Sequence, residues 1–208
     1  EKLIETYQDS TAQKTFESLK NKNTFVVPTL HIGNVLSYLD EDNHENDTYL
    51  KLMPSGIVKT YEGRIRSSLN SSEEARQNRK ELNTFFKNLA KSLSDADVKL
   101  LAGSDSGAFN SYTYPGISLH KELEVMVNTG ISNLKALQNS AYNGALFLKK
   151  ESDYGSIEIG KISDLVMLNS NPLEDITNTR DINYVIKGNE VFNPKIMAMA
   201  IDCTDCIK

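Results

Sequence analysis

Two short apolar runs with a long amphipathic stretch between them constrain this chain more than anything else in it. TFVVPTL at 24–30 is rich in β-branched residues, and VKLLAG at 98–103 stays largely apolar until it meets glycine. Both read as strands, with Pro28 marking where the first leaves regular pairing. Ser71 and Glu74 have capping-box spacing, and Ala75, Leu82, Phe85, Phe86, Leu89 and Leu93 fall on one face of a helix ending near Ser94. Strand, helix, strand in that order is a parallel crossover unit, because parallel neighbours need a connection that returns the chain to the same end of the sheet. The fold class expected is therefore α/β.

The second strand runs into GSDSG at 103–107. Gly103 and Gly107 permit a tight turn, and Asp105 would then project from the carboxyl end of the strand, where barrel enzymes present catalytic carboxylates. An Asp flanked by Ser and Gly also makes a local side-chain-to-backbone turn, so on these residues alone both readings stand.

Around this unit the texture is mixed. Ser10 and Gln13 have capping-box spacing ahead of a helix carrying Ala12, Phe16 and Leu19, closed at 21–23. Residues 33–72 are polar, include the acidic loop DEDNHEND at 40–47, and are expected to hold short helical pieces and to wall a pocket. SGAFNSYTYPG at 106–116 is a flexible aromatic loop; one helix then opens at Ser118 and closes at Gly130, and Ser132 caps another with Leu134, Leu137 and Ala141 on its apolar face. Beyond Lys150, GSIEIGKISDLVMLN reads as strand, Gly160–Lys161 turn and strand, and INYVIKGNEVFN as a hairpin turning at Gly188–Asn189.

Charge and composition exclude some partners. A formal charge of −5 with no basic stripe gives no surface for displacing counterions from nucleic acid. The apolar patch at 196–201 is too short to span a bilayer and no targeting pattern opens the chain, so no membrane partner is expected and the compartment stays open. Cys203 and Cys206 form one C-x-x-C pair, half of a zinc site at most, and read as a tail feature.

The order GSDSG, PGISLHKELEVMVNTGIS, ALQNSAYNGALFL, GSIEIGKISDLVMLNSNPLEDI resembles the carboxyl-terminal half of the amidohydrolase superfamily, closest to its imidazolonepropionase-like, prolidase-type members. TFVVPTL is similar to that group's seventh barrel strand. The resemblance covers most of 1–192 and leaves 193–208 aside. It implies the last part of a (β/α)8 TIM barrel at 1–150, part of a composite β-sandwich at 151–195 and a tail at 196–208. It also implies a metal-dependent hydrolase cleaving an amide, peptide or cyclic C–N bond, with Asp105 as metal ligand and general base and zinc as the expected divalent metal.

The family's other metal-site residues have no counterpart here: an H-x-H pair, a carboxylated lysine or glutamate, and histidines of earlier strands. The histidines His31, His44 and His120 form neither an H-x-H nor a helical i, i+4 pair. The isolated chain, beginning at Glu1 after the family's sixth strand, is therefore expected to be inactive, its partner being the missing amino-terminal half of the barrel. A small-molecule or peptide substrate and a homo-oligomer are compatible with this. Substrate-binding candidates are His31, Ser106, Tyr112 and His120. His31 suits a solvent-facing position equally, and His120, spaced with Leu119, Leu123 and Val127, suits helix packing. His44 reads as a solvated loop residue, a metal site with Asp42, Glu45 and Asp47 lacking a rigid frame, and Lys161 as a hairpin residue. The alternative function is a non-catalytic remnant or binding module that kept the scaffold.

Overall fold

The structure is a computed structural model that describes residues 2–107 and 110–201; Cys203 and Cys206 lie outside the described residues. It is α/β, and it divides into two compact units at Ser132 and Asn133, ahead of two helices grouped above with the barrel portion.

In the first unit, α1 (Lys2–Glu5) and α2 (Asp9–Asn21) precede β1 (Phe25–Val26); then come α3 (Leu30–Ser37), α4 (Ser55–Leu69), α5 (Glu73–Asp95), β2 (Lys99–Leu100) and α6 (Ile117–Asn128). β1 and β2 are parallel, with Phe25 opposite Lys99 and Val26 opposite Leu100, as the crossover pattern requires. The expected first strand is cut short because Leu30 already opens α3.

The helix starts are displaced from those read in the sequence. Ser10 lies inside α2, whose N-cap is Gln8 with no side-chain bond. For α5 the cap is Ser72, whose Oγ accepts from the Ala75 amide at 3.2 Å, while Ser71 donates instead to the Ser67 carbonyl of α4. Ala90 and Leu93 are buried on α5, but Phe86 is exposed, so the packed face is narrower than the apolar stripe. α3 packs on α5 and on α6. α3 also shares a core with α4, built from Val35, Leu39 and the fully buried Tyr61, with Tyr112 from the loop after β2.

The second unit holds α7 (Asn133–Ser140), α8 (Tyr142–Phe147), β3 (Asp164–Leu168), β4 (Ile182–Lys187), β5 (Glu190–Phe192) and α9 (Pro194–Ile201), so part of the expected tail is helical. The three strands form one antiparallel sheet in the order β3-β4-β5, and Gly188 takes φ +58° in the hairpin turn, as its sequence anticipates. The strand expected before Gly160 is not formed. Ile157 and Ile159 are 86% and 108% exposed and have no ladder partner among the described residues, and a strand exists only by pairing its backbone groups. On the sheet, the register places Leu165, Met167, Tyr184, Ile186 and Val191 on one face, all apolar or aromatic, with Met167, Tyr184 and Val191 exposed. Among the described residues no helix is long and apolar enough to cross a membrane.

Candidate functional site

The ends of the two parallel strands organise the chemistry. Past β2, the chain keeps pairing for one residue, the Leu101 amide donating to the Val26 carbonyl at 2.9 Å. Gly103 follows where a Cβ would lie 2.6 Å from Val27 Cγ1, so the close approach of the β1 segment excludes a side chain there. Two residues later Asp105 is exposed and left-handed at φ +49°. Its carbonyl accepts from Asn110 Nδ2 at 2.5 Å, and Thr113 Oγ1 donates to the Asn110 carbonyl at 2.8 Å.

Past β1, Thr29 is also left-handed at φ +46° and the chain turns into α3. The first amides of that helix are satisfied by Glu122 of α6, fully buried, which accepts from the Leu30 amide at 3.0 Å and the His31 amide at 2.6 Å. A carboxylate at a helix N-terminus is stabilised by the unpaired amides and the helix dipole, and this one fixes where His31 emerges. Burial pushes the Glu122 carboxyl above its ordinary value, against the lowering effect of the two amide bonds.

His31 lines a cleft of about 550 Å³ with His44, Asp47, Tyr112, Tyr114 and Lys121. Burial, reinforced by the nearby Lys121 ammonium, pushes the His31 imidazole down to about 4, so it is neutral near neutrality. A larger cavity of about 690 Å³, lined in part by Leu50, Met53 and Val58, lies on the same acidic segment. The smaller cleft carries more chemistry because both histidines and the buried tyrosines converge on it.

His44 is not the solvated loop residue expected. Its ring stacks on Tyr112 with centroids 3.9 Å apart and planes 9° from parallel, and Nδ1 lies 3.1 Å from Asp47 Oδ2. The same oxygen accepts from the Tyr114 hydroxyl at 2.8 Å, and burial and Asp47 together push the Tyr114 phenol up. His44 and Asp47 stand three residues apart in an acidic loop, which reads as a charge run until the facing tyrosines are known. Only the tertiary fold supplies that information.

Of the residues proposed from sequence, His31 and Tyr112 come together in the cleft, whereas Asp105, Ser106 and His120 are not among its lining residues. Ser106 Oγ is buried without a hydrogen-bond partner among the described residues, and His120 is half-buried on α6. Lys161 lies in a turn and not in the hairpin expected, since no strand forms before Gly160, and it donates to the Glu151 carbonyl at 2.6 Å and to Ser156. Among the described residues no group of three or more His, Cys, Asp or Glu side chains is placed to hold a metal ion. A metal site does not fit these residues by themselves.

A sequence model described as the amidohydrolase family matches residues 21–191. No curated protein matches the chain. Among solved structures, a Xaa-Pro dipeptidase with bound methionine in the active site superposes with TM-score 0.62 at 22% identity, over 86% of this chain and 37% of that one. A prolidase complexed with N-methylphosphonate-L-proline gives 0.59 at 20% identity, over 87% and 38%. At such identities the likeness is one of fold, and this chain spans well under half the length of either.

Proposed function

Because the chain belongs to the amidohydrolase family, we propose that it is the carboxyl-terminal portion of a hydrolase that cleaves an amide, peptide or cyclic C–N bond, with Asp105 as its catalytic carboxylate. The observation that carries this reading is Asp105 itself, exposed on a turn beyond β2, in a chain whose family match runs across both parallel strands. In the reaction a water oxygen attacks the carbonyl carbon while Asp105 accepts the water proton. The C–N bond breaks, and the carboxyl group hands that proton to the departing nitrogen.

Members of the family generally use divalent metals. The remaining ligands of such a site, for which zinc is the expected ion, belong in this proposal to the amino-terminal part of the barrel. The isolated chain is accordingly inactive. The exposed Met167 and Val191 on one sheet face, and a parallel pair with no third strand among the described residues, support the idea that further strands complete both layers.

The test is turnover of a panel of dipeptides and N-acyl amino acids by the full-length protein, wild type against Asp105→Asn. A loss of at least about 100-fold is expected, the scale of a removed general base. Near-normal turnover by the folded variant removes Asp105 from the chemistry. A folded full-length protein that turns over no member of the panel favours the non-catalytic scaffold instead.

A further inference from the structure

The turn bearing Asp105 lies beyond the strand pairing: within it the Ser106 amide donates to Ser104 Oγ at 3.3 Å, and the loop that follows holds it further. Among the described residues between 105 and 114, two non-glycine residues take positive φ, Asp105 at +49° and Tyr112 at +59°. Such conformations disfavour bulky side chains and persist only where the surroundings over-determine them. Each is clamped from outside its own backbone. The side-chain amide of Asn110 holds the Asp105 carbonyl, and with it the 105–106 peptide plane next to the Asp105 Cα. Tyr112 is buried between the stacked His44 ring and Tyr61, whose ring centroid lies 5.0 Å away. Two residues on, the Tyr114 hydroxyl is held by Asp47, while the Tyr114 amide donates to Ser118 Oγ at 2.8 Å.

His44 and Asp47 both belong to the acidic segment, which has a second anchor. Asp40 is nearly buried and pairs with Arg76 at 3.3 Å and Lys80 at 3.6 Å on α5. The segment is thus fixed to the long helix at one end and to the loop after Asp105 at the other.

We infer that Asp47 is a positioning residue for Asp105, acting through Tyr114 and the 110–114 loop, so that the acidic segment sets the direction in which the catalytic carboxylate points. This rests on the reading of Asp105 given above. It assigns the acidic segment a role in the chemical step as well as in walling a pocket.

Two measurements on the full-length protein test it: turnover of the panel substrate that the wild type cleaves fastest, and hydrogen exchange of the 104–107 amides. Tyr114→Phe removes one hydroxyl, Asn110→Ala removes the amide that holds the Asp105 carbonyl, and Asp47→Ala removes the shared acceptor. Each is expected to lower kcat by about 10-fold or more with KM within about 3-fold, as a misplaced catalytic group does. Exchange at 104–107 should rise, while the thermal midpoint of Tyr114→Phe stays close to wild type. Asp47→Asn keeps an acceptor oxygen and should recover much of what Asp47→Ala loses.

Faster exchange with unchanged kcat overturns the inference, and so does a change confined to KM, which would make the segment a pocket wall alone. If Asp105→Asn abolishes turnover while Tyr114→Phe and Asn110→Ala turn over normally, only this inference fails. If Asp105→Asn turns over normally, or the wild type cleaves nothing in the panel, the reading beneath it fails and takes the inference with it.

Discussion

Replacing Glu122 by alanine strips the buried Leu30 amide and the half-buried His31 amide of their acceptor, and the cost follows from the geometry. Both bonds are well formed, at 3.0 Å and 2.6 Å, and Leu30 is buried, so no solvent stands ready to replace the carboxylate there. A buried donor left unsatisfied costs about 1–3 kcal/mol, which places the pair near 4 kcal/mol. At about 2–4 °C per kcal/mol for a domain of this size, the melting temperature should fall by about 8–16 °C. Glu122→Gln offers one acceptor oxygen and turns an amide group toward the second donor, so roughly half the loss is expected.

Thermal melts followed by circular dichroism measure both variants, and their pH dependence adds a sign. Burial raises the Glu122 carboxyl above its ordinary 4.5, so the folded state holds the proton more tightly than the unfolded chain. Its contribution is full below that ordinary value and is lost as pH rises through the raised one. The stability gap between wild type and Glu122→Gln should therefore be widest in acid and narrow toward alkaline pH. An alanine variant melting within about 3 °C of wild type would show that these amides have another partner. A gap that widens as pH rises would refute the assignment of burial as the dominant effect.

The other expectations are more local. The Tyr61 hydroxyl is buried without a hydrogen-bond partner among the described residues, so Tyr61→Phe should cost nothing or gain up to about 1 kcal/mol in urea unfolding, and a loss beyond that would reveal a hidden acceptor. Gly155 sits at φ +88° where a Cβ would meet Ala145 Cβ at 2.7 Å and Tyr142 Cα at 3.1 Å, so Gly155→Ala should destabilise the second unit by about 2–4 kcal/mol on the same measurement. His31 should titrate by NMR with a midpoint near 4 against an ordinary 6.5. Its depressed value means that the stability it lends is present above the ordinary pKa and lost as pH falls through the lower one. A midpoint near 6.5 would place the ring in solvent.

The crossover unit was legible because its signals are local and redundant: a β-branched run, a capped apolar helix and a second apolar run. The hairpin at Gly188 was legible for the same reason. Helix starts were read less well: Ser71 and Ser72 are chemically alike and packing chooses between them, while α2 starts ahead of Ser10 on Gln8, which makes no side-chain cap that a sequence pattern could show. Alternation around Ile157 marks a segment that could pair, but a strand depends on a neighbour, and none pairs with it among the described residues. Most of the cleft was illegible. His44, Asp47 and Tyr114 are up to 70 positions apart, and Glu122 reaches across 92 positions to the Leu30 amide, so no spacing rule joins them.

The parallel pair has a kinetic consequence as well. Phe25 meets Lys99 roughly 74 positions along the chain, and closing a flexible loop of that length costs about 4 kcal/mol in entropy before any pairing is rewarded. Two residues of ladder cannot meet that cost alone. α3 docks on α5 across a somewhat shorter loop, Asn34 meeting Asn83 at a separation of 49 positions, which saves only about 0.4 kcal/mol by itself. Once the helices are packed, little chain is left for the strands to close, so they zip late. Refolding of this unit should then be limited by how fast α5 finds α3, and α5 rather than either strand is the element whose mutations would slow it most.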